Sequence, residues 1–454
     1  MGYIFFRKNT QVYQRFTKLC VIISLILYFA TPNVMYKPYI NLIGLLYLIQ
    51  LWIYFRVKEK NSYLEFDTIF LLIFSIASLA YPLLIYDPDM PFVPFFGLSF
   101  NTNNIPKALS GSCLALSAYI YGNTKRTKTA TPVKFQNKQI RTTYIVYIIL
   151  ALSIAFFGFG GLRYLNALYV LGDANLEDFG MIFQIESLLT SFIIAFISIE
   201  FYNYNINKNY NFNKLAILAI MTISAIIILA GNRSLPMRFM LPLAFYFSLF
   251  FYRLSKFKFL VSITLAVIFM ALIGYIRDGT ALTDLENLNA EKFIRDIVIP
   301  ARSNYLVYEV VDKFGYTYGT NLSLGIFRII PSFTRLLTIL GIDSSRWGSA
   351  EFFTDYSQQD VEYNLPGLGT MLQADAFMSF GIIGVILTFY LIGYYSNKLY
   401  ESICEGKSIY AFVIYSCFMA DSVFWIRGMV TLPLKNIVWC CIIVWFAKNK
   451  RIKI

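Results

Sequence analysis

Arginines and carboxylates are the side chains that can do chemistry in this chain, because histidine is absent from all 454 residues. That absence removes every mechanism needing an imidazole base, and most zinc sites with it. Several guanidinium groups stand at positions that sequence context explains poorly. Arg233 lies in Gly231-Asn232-Arg233-Ser234, a tight turn between two apolar runs. Arg302 and Glu309 fall on one face of a helix predicted to open at Pro300 and to stop at Gly315. Arg328 and Arg335 lie in an apolar stretch, Leu322 to Leu340, interrupted by Pro331. It reads as an interfacial amphipathic segment that brings two guanidinium groups together. Arg427 stands beside Gly428, with Asp421 about one and a half turns earlier. Asp375, Glu186 and Arg277 sit near the ends of apolar runs. A planar guanidinium grips phosphate or carboxylate at two points. Many arginines with few acids therefore suit a pyrophosphate, held by Arg233, Arg302, Arg328 and Arg427 with Arg277 and Arg335 nearby, and Asp375 suits a base. Neither metal nor cofactor is expected. The plainer reading pairs these arginines with acids, Asp421 neutralising Arg427.

The elements that must position such residues are membrane helices. Hydrophobic residues make up 57% of the chain, mean hydropathy is +0.58, and only 14% of residues are charged, against about 25% for a soluble domain. Apolar runs of about 20 residues, the length that crosses a bilayer as a helix, recur near 19–36, 40–55, 67–86, 106–122, 142–162, 181–201, 214–231, 235–252, 259–276, 378–396, 409–426 and 430–447. They are continuous rather than alternating, which excludes a barrel. The expected fold is all-α and polytopic, with about twelve transmembrane helices. Spans one to nine occupy 1–276, a large extracytoplasmic loop of short interfacial helices occupies 277–377, and the last three spans with a basic tail occupy 378–454. A loop that long tends to be functional.

Charge placement sets the orientation. Most of the 39 lysines and arginines fall on alternate segments: the N-terminus, 56–66, 123–141, around Lys208 and Lys214, 253–258, Lys398 with Lys407, and the tail. Both termini are therefore expected in the cytoplasm. Lysine dominates these inner segments and arginine the outer ones, which again points to an outer phosphate site. A net charge of +13 suggests nucleic acid, but basic residues spread over alternate loops are topological, so no nucleic acid partner is expected. None of the six cysteines lies in the large loop, and adjacent Cys440 and Cys441 read as packing residues.

The chain resembles the Wzy-type O-antigen polymerases, or oligosaccharide repeat-unit polymerases. The resemblance rests on the span count and the large outer loop in the second half. It also rests on Gly231-Asn232-Arg233, Arg328-Ile329-Ile330-Pro331, and the stretch Gly369 to Gly384 with Phe380-Gly381-Ile382-Ile383-Gly384. Relatives commonly carry an acid, often Glu, five residues before that Phe, where this chain has Asp375. The resemblance implies a bacterial inner-membrane enzyme that polymerises undecaprenyl-pyrophosphate-linked oligosaccharide into O-antigen, capsule or other surface polysaccharide, without a metal, among membrane lipid and with a chain-length regulator protein as a further partner. It assigns Asp375, Arg302 and Arg427 to catalysis and Arg233, Arg328, Arg277 and Arg335 to the pyrophosphate.

The related ligases are expected to need a histidine in the outer loop, which this chain lacks. Metal-dependent membrane transferases usually place acids in the first outer loop, and Thr31 to Tyr39 has none. The alternative from another class is a lipid-linked oligosaccharide flippase or other polysaccharide transporter. Such a protein would more often show two similar halves, and no such repeat is visible here.

Overall fold

A computed structural model describes residues 10–58, 60, 62–86, 100–125, 139–166, 180–230, 232, 234–277, 298–330, 333–341, 347–358 and 369–449. Helices are the regular elements among these residues, with turns between them and no strand. Before the long loop come α1 (Thr10–Phe29), α2 (Lys37–Val57), α3 (Phe66–Ala80, prolonged by a wider turn through Ile85), α4 (Ile105–Thr124), α5 (Thr143–Gly158), the short α6 (Gly161–Asn166), α7 (Gly180–Ile206), α8 (Lys214–Leu229), α9 (Ser234–Phe250) and α10 (Lys256–Arg277). Within the loop lie α11 (Arg302–Phe314), α12 (Thr320–Phe327), α13 (Phe333–Ile339) and α14 (Ser349–Gln358). Then follow α15 (Leu372–Cys404), α16 (Ile409–Asp421) and α17 (Leu434–Asn449).

Five stretches are long and apolar enough to cross a membrane: Gln11–Phe29, Lys37–Val57, Phe66–Ile85, Gly180–Ile206 and Leu372–Cys404. Four more helices, α5, α8, α9 and α16, are apolar but shorter. The surface agrees with a lipid environment. Leu84, Leu215, Leu229, Ile154 and Phe257 are exposed, while Asp67, Glu65, Glu200, Asp375 and Asp421 are buried. A water-soluble fold arranges these classes the other way round.

Two groups of helices share the core. α4 packs against α1, α2 and α15, and α7 packs against α5, α9, α16 and α17; α15 and α16 join the groups. The α4–α15 contact is backbone to backbone. A Cβ on Gly122 would lie 2.1 Å from the Tyr390 carbonyl oxygen, and one on Gly393 would lie 2.1 Å from that of Tyr119. Only glycine permits that approach.

Two local expectations need correction. The span predicted to begin at 378 begins at Leu372, and its helix is broken at Phe380 (φ −141°) and Gly381 (φ +61°, ψ −147°). A Cβ on Gly384 would sit 2.3 Å from the carbonyl oxygen of Ala376. In a straight helix two residues eight apart are separated by about 12 Å along the axis, so the chain folds back sharply at Gly381. The eight residues from Leu372 to Ser379 form a half-helix, every one of them buried. Their polar residues give them the appearance of loop edge, because a short buried helix carrying Gln373, Asp375 and Ser379 lacks the hydropathy of a span. The second correction concerns Leu322 to Leu340, which is two helices, α12 and α13, rather than one amphipathic segment. Arg328 ends the first and Arg335 lies in the second, so helical periodicity across the break does not place them on one face.

Candidate functional site

The half-helix Leu372–Ser379 is pinned by four segments far apart in sequence. From α4, Ser112 Oγ donates to Gln373 Oε1 (2.6 Å), and Gln373 Nε2 donates to the Ala108 carbonyl (3.0 Å). From α11, Ser303 Oγ accepts the Met371 N–H (2.8 Å). From the turns joining α16 to α17, the Ile426 carbonyl accepts the Leu372 N–H (3.0 Å) and the Val430 N–H donates to Asp375 Oδ2 (2.7 Å). From α12, Asn321 Nδ2 donates to Asp375 Oδ1 (2.6 Å) and to the Asp375 carbonyl (3.1 Å). Asn321 Oδ1 accepts in turn from Thr317 Oγ1 (2.5 Å) and Ser379 Oγ (2.9 Å). The break frees the carbonyl of Met378, and the Thr317 N–H occupies it (2.9 Å). Asp375 is fully buried and both its oxygens accept a hydrogen bond. The Ser349 hydroxyl also faces this carboxylate.

Three arginines lie on the segments that clamp this half-helix. Arg302, the first residue of α11, is 1% exposed and adjoins Ser303. Burial pushes its guanidinium down to about 10, and Glu309 partly opposes that shift, so the group is charged at neutral pH. Glu309 Oε1 accepts from the Asn101 N–H (2.9 Å) and Asn104 Nδ2 (3.3 Å). That ties α11 to the segment preceding α4. Arg427 is exposed on the same turns that clamp Asp375. Arg328 is paired with Glu351 of α14.

Asp421 is not the partner expected for Arg427. Its Oδ1 lies 3.2 Å from Nε of Arg238 on α9, and its Oδ2 accepts from Asn436 Nδ2 (3.2 Å). The Arg238 guanidinium also covers the Phe424 ring at 5.4 Å. The reason is spatial: α9 packs along α16, while Arg427 lies beyond the helix end on turns that lead away. Lys435 is within electrostatic reach of Arg328, Arg238 and Glu186, so this second ionic tier continues into the first. Arg233 lies outside the described residues. Arg277 ends α10 and Arg335 lies in α13, but their side chains also fall outside the description. Among the described residues no three His, Cys, Asp or Glu side chains are grouped to hold a metal.

The sequence reading missed a second polar cluster at the other end of the bundle. Lys58 Nζ donates to Asp67 Oδ2 (2.9 Å) and Asn123 Oδ1 (2.8 Å). Lys60 Nζ lies 3.1 Å from Asp67 Oδ2 and 3.6 Å from Glu65 Oε2. Tyr400 Oη donates to Glu65 Oε1 (2.8 Å), and Tyr54 Oη donates to Asp67. Lys58 and Lys60 belong to the basic segment 56–66 that sets the expected orientation, and a count of charges carries no sign of their burial. The signal available was their alternation with Glu65 and Asp67 across a short turn.

Comparison with protein-family models, curated proteins and solved structures found no match to this chain.

Proposed function

We propose that the chain is a membrane glycosyltransferase that joins lipid-linked oligosaccharide repeat units, in the manner of the polymerases it resembles. In this reading about twelve helices cross the bilayer, both termini are cytoplasmic, and the half-helix end faces outward in a bacterial cytoplasmic membrane. The observation that carries the reading is the buried half-helix bearing Asp375, which α11 joins through Ser303, the neighbour of buried Arg302. The remainder of α15, from residue 382 to 404, spans about 34 Å at 1.5 Å per residue, close to the roughly 30 Å hydrocarbon core. The break thus lies one membrane thickness from the Lys58–Glu65–Tyr400 cluster, at the depth of a phosphate headgroup. Irregular backbone at that depth is tolerated where it lines a site.

In the proposed reaction a hydroxyl of one lipid-linked unit attacks the anomeric carbon of another. The C–O bond to undecaprenyl pyrophosphate breaks, and the pyrophosphate leaves with the bonding pair. Arg302 and Arg427 stabilise the charge that develops on it, with Arg233, Arg328, Arg277 and Arg335 as further contacts. Asp375 accepts the hydroxyl proton or orients the acceptor.

Deleting the gene and resolving the surface glycan on a gel tests the reading. Single-repeat glycan that still reaches the surface is the expected result. Loss of all surface glycan, with lipid-linked units retained inside, would instead identify a flippase or other transporter.

A further inference from the structure

Thr317, Tyr318, Gly319 and Thr320 form a tight turn between α11 and α12. The Thr320 N–H donates to the Thr317 carbonyl (3.1 Å), and Tyr318 (φ +49°) and Gly319 (φ +90°, ψ 3°) are both left-handed. These features define a type I′ turn, whose first central position favours Asn, Asp or Gly. Tyrosine pays a steric penalty there through its Cβ. Tyr318 is the one non-glycine residue with positive φ among those described. The strain gains no burial, since Tyr318 is 76% exposed.

The turn displays a patch of rings. Tyr316 is 6.3 Å from Tyr318 and 6.1 Å from Phe377 of the half-helix, centroid to centroid. Phe380, at the helix break, lies over Gly319 and is exposed like Tyr316. The patch is continuous with the candidate site, because Thr317 bonds the Met378 carbonyl and Asn321 bonds Asp375. Hydroxyl and amide side chains, Thr317, Thr320 and Asn321, alternate with the rings.

We propose that Tyr318, with Tyr316 and Phe380, forms a stacking ledge for a pyranose ring of the lipid-linked saccharide. The inference rests on the reading of the substrate given above. One face of a pyranose presents C–H groups of partial positive charge, which match the negative face of an aromatic ring. Its equatorial hydroxyls reach outward to groups such as the threonines. An acyl chain would need neither hydroxyl neighbours nor a ring held on a strained turn. An ordinary interfacial tyrosine sits as well on an unstrained helix.

The test uses the full chain in phosphatidylcholine nanodiscs. Saturation-transfer NMR is recorded with the methyl glycosides of glucose, galactose, N-acetylglucosamine and rhamnose. At least one should receive saturation from the wild type and from Tyr318→Phe. Transfer should fall about fivefold in Tyr318→Leu and Tyr318→Asn, as loss of one stacked ring implies. Tyr318→Asn should also raise the thermal midpoint, because Asn suits the left-handed position. A role in stability alone would not couple that gain to loss of binding. Transfer to no glycoside above that of empty nanodiscs would overturn the inference. So would equal transfer to Tyr318→Leu, which would make the residue a membrane anchor. Polymer of normal length from Tyr318→Leu would sink the ledge and leave the polymerase reading standing. Tyr318-dependent glycoside binding without polymer formation would do the reverse.

Discussion

Replacing Gly381 by alanine tests whether the break in α15 organises the site. At φ +61° and ψ −147° the residue occupies a region that is essentially reserved for glycine, and a side chain there costs about 1–3 kcal/mol. The added Cβ would also approach Tyr316 Oη to 3.0 Å. That contact adds little, because the tyrosine tip can swing by a few tenths of an ångström. Backbone strain therefore dominates, at roughly 2 kcal/mol, equivalent to about a 30-fold shift toward a relaxed break at 1.4 kcal/mol per decade. Relaxation rotates Leu372–Ser379 and withdraws Asp375 from Asn321 and Val430. For a chain of this size the thermal midpoint should fall by about 2–4 °C, and the Val430 amide should exchange with deuterium faster than in the wild type. On the proposed reading, polymer synthesis should fall further than stability does. Gly158→Ala is the control, since a Cβ there meets nothing within 4 Å. An unchanged midpoint together with unchanged protection of the Val430 amide would refute the argument that the break positions Asp375.

Three more outcomes follow from the charges. Asp67→Asn leaves Lys58 and Lys60 buried without their shared carboxylate and should cost about 3–5 kcal/mol, read as lost folded yield in detergent. Arg238→Met should destabilise by isolating buried Asp421, and the double variant with Asp421→Leu should recover most of the loss; failure to recover would show that the pair is not coupled. Arg302 titrates near 10 in the fold, below the ordinary 12.5, so across that window the unfolded chain holds more protons and this group's contribution to stability rises with pH. Binding of inorganic pyrophosphate should change oppositely, weakening as pH climbs toward and past 10, and Arg302→Gln should flatten both trends in calorimetry.

Helices were legible in the sequence because apolar runs carry their own signal, and each predicted span has a helix on it. The α11 helix was legible for the same local reasons: Pro300 begins the first turn, and Gly315, at φ +77°, ends it. Partners across helices were not legible. Asp421 read as the neighbour of Arg427 because periodicity compares residues on one helix, whereas Arg238 arrives from α9. Asn321 and Gln373 carried no signal, since an amide becomes informative only when the groups it bridges are known. Lys58 and Lys60 were misread for a related reason. Counting basic residues presumes that they are solvated, and burial against Glu65 and Asp67 cannot be seen in a count.

The paired glycines of α4 and α15 have a mechanical meaning. With the Tyr390 and Tyr119 carbonyls seated where Cβ atoms would stand, the two rods are keyed together and neither can slide along the other. The floor beneath Asp375 is therefore a fixed beam anchored at Gly122 and Gly393. On the proposed reading, widening to admit a glycan falls to the opposite side, where α11, α12 and the 422–433 turns rest on that floor through a handful of hydrogen bonds.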